Sequence, residues 1–327
     1  MGKKADLGSC GEYLFKTLEN MITFITTILN EEKTIPEFLD SLSAQTRQPD
    51  EIIIVDGGSR DSTLKLIRTH ALFRRIKLVN KIGNRSVGRN TAIKIARGDL
   101  IVCSDAGNIL DNNWLKNIIS PFKDKTVDVV AGFYKGMPKS IFQKCLVPYV
   151  LVMADKVKEG SFLPATRSIA FRKSAWKEAG EFPEQFSDNE DFVFAKKLKQ
   201  IDAKIVFQKK AIVYWLPRKN LFEAFVMFFR FSKGDAYALI LRPKVIFIFA
   251  RYIAAFLLLV HFLNNGNTSA GILFIVIFLL YIFWSILKNY KYVKDTQAFL
   301  YLPLLQFTSD LAVISGATLG LLNRYIG

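Results

Sequence analysis

Through the first two hundred residues, short apolar β-branched runs alternate with segments whose apolar positions recur every three or four residues. The first run, Ile22–Leu29, ends at Asn30-Glu31-Glu32 and is followed by Ile35, Phe38, Leu39 and Leu42. Buried apolar runs of this length predict strands, and the three-and-four spacing predicts a helix. The alternation repeats as a strand Glu51–Val55, a helix through Leu64, Ile67 and Leu72, and a strand Ile76–Val79. It continues with a helix carrying Ile93, Ile95 and Ala96 and a strand Leu100–Cys103. Strands separated by helices at this spacing predict a parallel sheet with right-handed crossovers. Beyond Asp105 the pattern loosens. Trp114–Phe122 reads as helical, Val127–Gly132 and Ala165–Lys173 as strands, and Ser174–Gly180 as a short helix stopped by its glycine. A helix is expected from about Asn189 through Phe192–Lys199, before a last strand Lys204–Gln208.

From about Val245 the pattern changes character. Three apolar stretches, Val245–Leu263, Ala270–Leu287 and Phe299–Leu322, each approach the roughly twenty residues that span a bilayer. The third also fits a re-entrant or interfacial segment. Arg251 and Asp310 interrupt the first and third stretches, so they must snorkel or face protein. Ahead of them, the apolar and aromatic run Leu221–Phe231 leads into Ser232-Lys233-Gly234-Asp235. It reads as a helix lying in the membrane interface, with a core helix of the soluble part as the alternative. The link 264–269 carries no charge, whereas Lys288–Gln297 carries Lys288, Lys291 and Lys294 against Asp295. The positive-inside rule then puts the lysine-rich link and the N-terminal domain in the cytoplasm, and the C-terminal end outside. The expected organisation is a lead-in over 1–20, an α/β domain over 21–216 and an interfacial helix region over 217–242. A membrane domain with two to three transmembrane helices follows over 243–327.

Composition sharpens this division. The chain has 327 residues, and its 50% hydrophobic content is concentrated in the C-terminal third. A net charge of +16 suits nucleic acid, anionic lipid or phosphate-bearing substrates. No zinc spacing, basic zipper or aromatic RNA-binding signature is present, so the basic excess reads as a face against an anionic leaflet and no nucleic-acid partner is expected. Cys10, Cys103 and Cys145 are too scattered for a disulfide framework. His70 and His261 are far apart, which argues against a histidine metal site or a Ser-His-Asp triad. Any chemistry must therefore rest on carboxylates. No signal peptide is expected at the N-terminus.

Carboxylates stand at the ends of the predicted strands. Val55-Asp56-Gly57-Gly58-Ser59-Arg60-Asp61-Ser62-Thr63 carries a buried strand into a glycine-rich turn and a helix start. Ligands bind beyond the carboxyl ends of such strands, where glycine permits close backbone approach. Asn30-Glu31 and Asp56 end neighbouring strands and line one crevice; Asp56 suits a base or ribose contact, and Asp61 suits a helix cap. Arg85 and Arg89 fall in a predicted loop with Gly83, Gly88 and Asn90, where arginine forks match phosphate oxygens. Asp105 follows Leu100–Cys103 and suits Mg²⁺ or Mn²⁺ beside a diphosphate. Glu190-Asp191 opens a helix, either as a favourable dipole partner or as a carboxylate poised to deprotonate a hydroxyl nucleophile.

In this order the segments resemble the inverting family 2 glycosyltransferases of GT-A fold, a Rossmann-like nucleotide-diphospho-sugar transferase architecture. The resemblance covers about residues 21–235. It rests on Thr27-Ile28-Leu29-Asn30-Glu31, the Asp56 segment, Gly88-Arg89-Asn90 with Ala96-Arg97-Gly98-Asp99, and Ser104-Asp105-Ala106-Gly107. Phe171-Arg172-Lys173-Ser174-Ala175-Trp176, Gly180-Glu181-Phe182 and Glu190-Asp191 complete it. The resemblance implies that Asn30, Glu31, Asp56, Gly58, Ser59, Arg89 and Asp105 contact a UDP- or GDP-linked sugar donor. It further implies that Asp105 holds the metal and that Asp191 is the general base. Glu190, Arg167 and Lys233 are expected on the side of a lipid-linked or glycan acceptor, in an enzyme attached to the membrane. The family often carries Asp-x-Asp at the metal position, and here the sequence is Asp105-Ala106-Gly107. A catalytically degenerate nucleotide-sugar-binding scaffold is therefore the alternative reading.

Overall fold

The computed structural model describes residues 21–326 apart from 159, 161, 241 and 267. The lead-in over 1–20, with Cys10, lies outside the described residues. The chain divides into two compact units, Met1–Lys135 with Ala154–Trp215, and Gly136–Met153 with Leu216–Gly327. Residues 136–153, expected within the α/β domain, thus group with the C-terminal helices.

The first unit is built on a sheet of β1 (Ile22–Ile28), β2 (Glu51–Asp56), β3 (Ile76–Asn80), β4 (Leu100–Cys103), β5 (Asn108–Leu110), β6 (Val129–Gly136), β7 (Ile169–Arg172) and β8 (Ile205–Trp215). Their order is β3-β2-β1-β4-β7-β6-β8-β5. The strands read from the N-terminal alternation form its parallel half, in which β1 pairs with β2 and β4, and β2 with β3. In the other half, for which the sequence set no strand direction, β7 runs antiparallel to both β4 and β6, and β5 antiparallel to β8.

Side chains of a strand alternate between faces, and both faces here are buried, which is why the parallel strands are apolar throughout. Phe24, Ile28, Ile52 and Ile54 pack with Phe38, Leu39 and Leu42 of α1 (Ile35–Ser43) and with Trp114 of α4 (Trp114–Ile119). Ile25, Ile53 and Val55 pack on the opposite face with Ile93 of α3 (Arg85–Ile95), with Trp176 of α6 (Lys173–Glu178), and with Phe194 of α7 (Glu190–Gln200). Between β2 and β3 lies α2 (Thr63–Thr69).

The second unit contains α5 (Ile141–Val150), α8 (Leu221–Tyr237), α9 (Pro243–Asn265), α10 (Thr268–Val293) and α11 (Ala298–Tyr325). The last three are long and apolar enough to cross a membrane. Arg251 faces protein rather than snorkelling. Its Nη2 lies 2.9 Å from Asp310 Oδ2, and Asp310 also accepts from Tyr252, Tyr281 and Gln306. Helix α8 reaches six residues beyond the expected Phe231 and lies against α11, where a Cβ at Gly316 or Gly320 would come within 2.4 Å of the Phe229 or Lys233 carbonyl oxygen.

Candidate active site

The carboxyl ends of β1, β2 and β4 bring Asn30, Asp56 and Asp105 to one edge of the sheet, as parallel strands in register require. Asp56 is fully buried, and its carboxylate is occupied by its own turn. It accepts from the Gly58 and Ser59 amides at 3.1 Å and from Ser59 Oγ at 2.6 Å. Gly58 sits at φ +106, a conformation that glycine adopts freely. Asn30, at φ +55, ties the neighbouring loop to this turn: its amide donates to Ser59 Oγ and its Oδ1 accepts from the Arg60 amide. Glu31 joins in through its amide, which donates to Thr63 Oγ1 at 2.7 Å. Asp61 accepts from the Thr63 amide and hydroxyl and lies below its usual pKa because these bonds outweigh desolvation. These predicted donor contacts therefore also build the turn. The exposed apolar side chains beside it are Leu29 and Ile82.

Arg89 corrects the sequence expectation twice. It lies within α3, whose N-cap is Asn84, rather than in a loop. Its guanidinium is 1% exposed and already engaged, so it is not open to phosphate. Nη1 donates to Glu190 Oε1 at 2.6 Å, and Nη2 donates at 3.0 Å to both Asp105 Oδ1 and Thr166 Oγ1. Burial opposes its charge, and Glu190 and Asp105 more than compensate. One arginine thus ties the end of β4 to the start of α7 and to the segment preceding β7. Arg85, exposed, stands 3.9 Å from Asp188.

Asp191 is the second residue of α7, whose N-cap position is held by Asn189 at φ +61. Burial first, and then the neighbouring Glu190 charge, push the Asp191 carboxyl up to about 6, while Arg89 and Arg167 pull the other way. Asp105 is held below its usual value, because Arg89, Arg85 and Arg167 together outweigh the effect of burial. The two carboxylates are therefore driven apart in acidity, an arrangement suited to a base and an anionic ligand respectively. Cys103, beneath them, is pushed up to about 12 by burial and is chemically quiet.

Asn90 is a positioning residue that sequence reasoning left in a loop. Its Nδ2 donates to the Phe182 carbonyl, while its Oδ1 accepts from Trp176 Nε1 and the Phe182 amide. It fastens the segment leading to α7. Lys233 lies on α8 in the second unit, with its backbone against Gly316 and Gly320. Among the described residues, no group of three or more His, Cys, Asp or Glu side chains gathers as a metal site. Asp105 alone fits a divalent ion whose other ligands are phosphate oxygens and water: it is ionised, partly exposed and uses only Oδ1 toward Arg89.

Residues 23–147 match the family described as Glycosyl transferase family 2. The chain carries a family 2 glycosyltransferase domain. Similar proteins include the O-antigen chain rhamnosyltransferase RfbN of Salmonella typhimurium, 28% identical over 59% of this chain and 65% of that protein. The poly-beta-1,6-N-acetyl-D-glucosamine synthase of Staphylococcus epidermidis is 25% identical over 65% of this chain and 54% of the synthase. The chain thus spans between half and two thirds of these relatives' lengths. The transferase domain and its helices also resemble a solved mannosyltransferase, PcManGT from Pyrobaculum calidifontis, captured with GDP-Man and Mn²⁺. That structure is 19% identical, covers 90% of this chain and 88% of its own, and superposes with a TM-score of 0.62, a likeness of fold.

Proposed function

We propose that the chain is a membrane-anchored inverting glycosyltransferase that moves a sugar from a UDP- or GDP-linked donor to a lipid-linked or surface-glycan acceptor. The observation that carries this reading is the Arg89 hub. It joins Asp105, suited to the donor diphosphate, to Glu190, the direct neighbour of a carboxylate whose pKa is pushed up to about 6. Asp191 then removes the acceptor hydroxyl proton as the oxygen attacks the anomeric carbon. Inversion in one displacement needs one base, and the departing nucleoside diphosphate takes the bonding electron pair. Asp105 would hold Mg²⁺ or Mn²⁺, which supplies charge neutralisation to the leaving diphosphate. Asn30, Glu31, Gly58 and Ser59 shape the donor end of the pocket, Asp56 fixes its turn, and Glu190 holds Arg89 beside the base.

The names of the relatives, concerned with O-antigen chains and a poly-N-acetylglucosamine, favour a glycan-building role. The three long apolar helices favour an acceptor met at a membrane, with the transferase domain cytoplasmic. The test is nucleoside diphosphate release from a panel of UDP- and GDP-sugars with membrane lipid, comparing the native chain with Asp191→Asn. Release from one donor that vanishes in the variant supports the reading; equal release from both overturns it. Ala106-Gly107 in place of a second carboxylate favours a binding scaffold as the second reading. Donor binding without release by the native chain would establish it.

A further inference from the structure

The pocket holds three carboxylates, Asp105, Glu190 and Asp191, yet the substrate class proposed for it is itself anionic. Arg89 is no help to an incoming anion, because it is 1% exposed and both of its terminal nitrogens already donate, to Glu190, Asp105 and Thr166. Arg167 is differently placed. Its charge favours the ionised form of both Asp105 and Asp191, adding to the fall of the first and opposing the rise of the second. Its guanidinium nonetheless makes no hydrogen bond or ion pair with another described residue. It has two aromatic neighbours instead, with Cζ 5.8 Å from the Tyr134 centroid and 5.7 Å from that of Trp215, within cation–π reach.

The backbone beneath Arg167 is fixed from three directions. Ser104 Oγ, one residue before Asp105, donates to the Arg167 carbonyl oxygen at 2.8 Å. Thr166 on one side accepts from Arg89, and Ser168 on the other accepts from Trp114 Nε1 at 2.8 Å. A partly exposed cation has therefore been given a fixed backbone and aromatic neighbours, with no hydrogen bond or ion pair to its N–H groups among the described residues. A cation–π contact takes up none of a guanidinium's N–H groups, whose fork matches two phosphate oxygens.

We infer that Arg167 is the phosphate-gripping residue of this pocket, binding a phosphate group of the donor diphosphate or a phosphate carried by the acceptor through its in-plane N–H fork. Only the identity of the ligand rests on the transferase reading. The fork, its seat and its charge do not.

The test is calorimetric titration of the full chain in nonionic detergent with UDP, GDP, inorganic pyrophosphate and farnesyl phosphate. Uridine, guanosine and farnesol serve as phosphate-free controls. Arg167→Gln should weaken at least one phosphate-bearing probe by about ten- to a hundredfold, as expected for lost charge-assisted bonds. The phosphate-free controls should not change. Arg167→Lys, which keeps the charge and loses the fork, should fall between native and Gln. A loss confined to the nucleotides and pyrophosphate identifies the donor as the source; one confined to farnesyl phosphate identifies the acceptor. Unchanged affinities for every probe the native chain binds overturn the inference, as does a native chain that binds none.

A second measurement needs no variant: 2,3-butanedione modification of native Arg167, followed by mass spectrometry. A bound phosphate probe should protect the residue, and equal modification with and without it overturns the assignment. A native chain that binds the probes through Arg167 but never transfers sugar would sink the transferase reading and leave this one standing.

Discussion

At the scale of single residues, Asp191 and its neighbour Glu190 place two carboxylates side by side, with Arg89 bonded to Glu190 and the charges of Arg89 and Arg167 acting on Asp191. With Asp191 pushed up to about 6, transfer should rise as pH passes through that value and level off above it, measured as initial rate against pH. The same shift has a stability sign. A raised acid contributes its stability below its unfolded value, and that contribution is lost as pH rises through the folded value. Asp191→Asn should therefore abolish transfer, leave nucleotide affinity within about twofold, and stabilise the fold by about 1–2 kcal/mol near pH 8 with little effect near pH 4. Thermal melts at the two pH values check this. Arg89→Met should have the opposite effect, destabilising by about 3–5 kcal/mol because Glu190 is left buried without its partner. The types of residue at these positions were legible in the sequence, but their partnerships were not. Arg89 and Glu190 are 101 residues apart, and nothing local distinguishes an arginine facing phosphate from one folded onto a carboxylate.

At the scale of elements, the buried apolar strands β1, β2 and β4 announced themselves because both of their faces pack. Helix α3 was harder to read. Gly83 and Gly88 looked like loop residues, yet Gly88 lies inside the helix, where a Cβ would come within 2.5 Å of Thr27 Cγ2. Its glycine serves close packing on β1. Strand β5 has three residues, too few for any period, and Pro148 disguises α5. The pairing of α8 with α11 likewise depends on glycine, here where the backbone of one helix comes against that of the other. Gly316→Leu or Gly320→Leu should separate the two helices and lower the melting temperature of the detergent-solubilised chain, whereas Leu311→Ala, at an exposed position on the same helix, should change it little.

At the scale of the whole molecule, composition divided the chain correctly into an α/β part and an apolar helical part, but it could not assign residues 136–153, whose partners lie far along the sequence. Within the helical unit, Asp310 is fully buried, with Arg251, Tyr252, Tyr281 and Gln306 around it, and Gln306 in turn receives Lys288. Asp310→Leu leaves Arg251 unmatched and should sharply reduce the yield of folded chain in membranes. Arg251→Met combined with Asp310→Leu should restore much of it, as read by fluorescence-detected size exclusion. A tag inserted after Gly266 should be labelled only from outside the cell, and labelling from the cytoplasm would reverse the proposed orientation. Helix α5 carries a consequence of a different kind, one of time. Tyr149 donates to the Leu302 carbonyl oxygen across 153 residues of chain, and Phe142 stacks edge-on against Tyr301. A ribosome adding about 5–20 residues per second completes α5 roughly 10–30 s before those partners exist. During that interval the apolar face of α5 is a newborn surface without its cover. Synthesis of this chain therefore has a vulnerable window that its finished fold conceals, and a stop placed after Trp215 would make that window permanent.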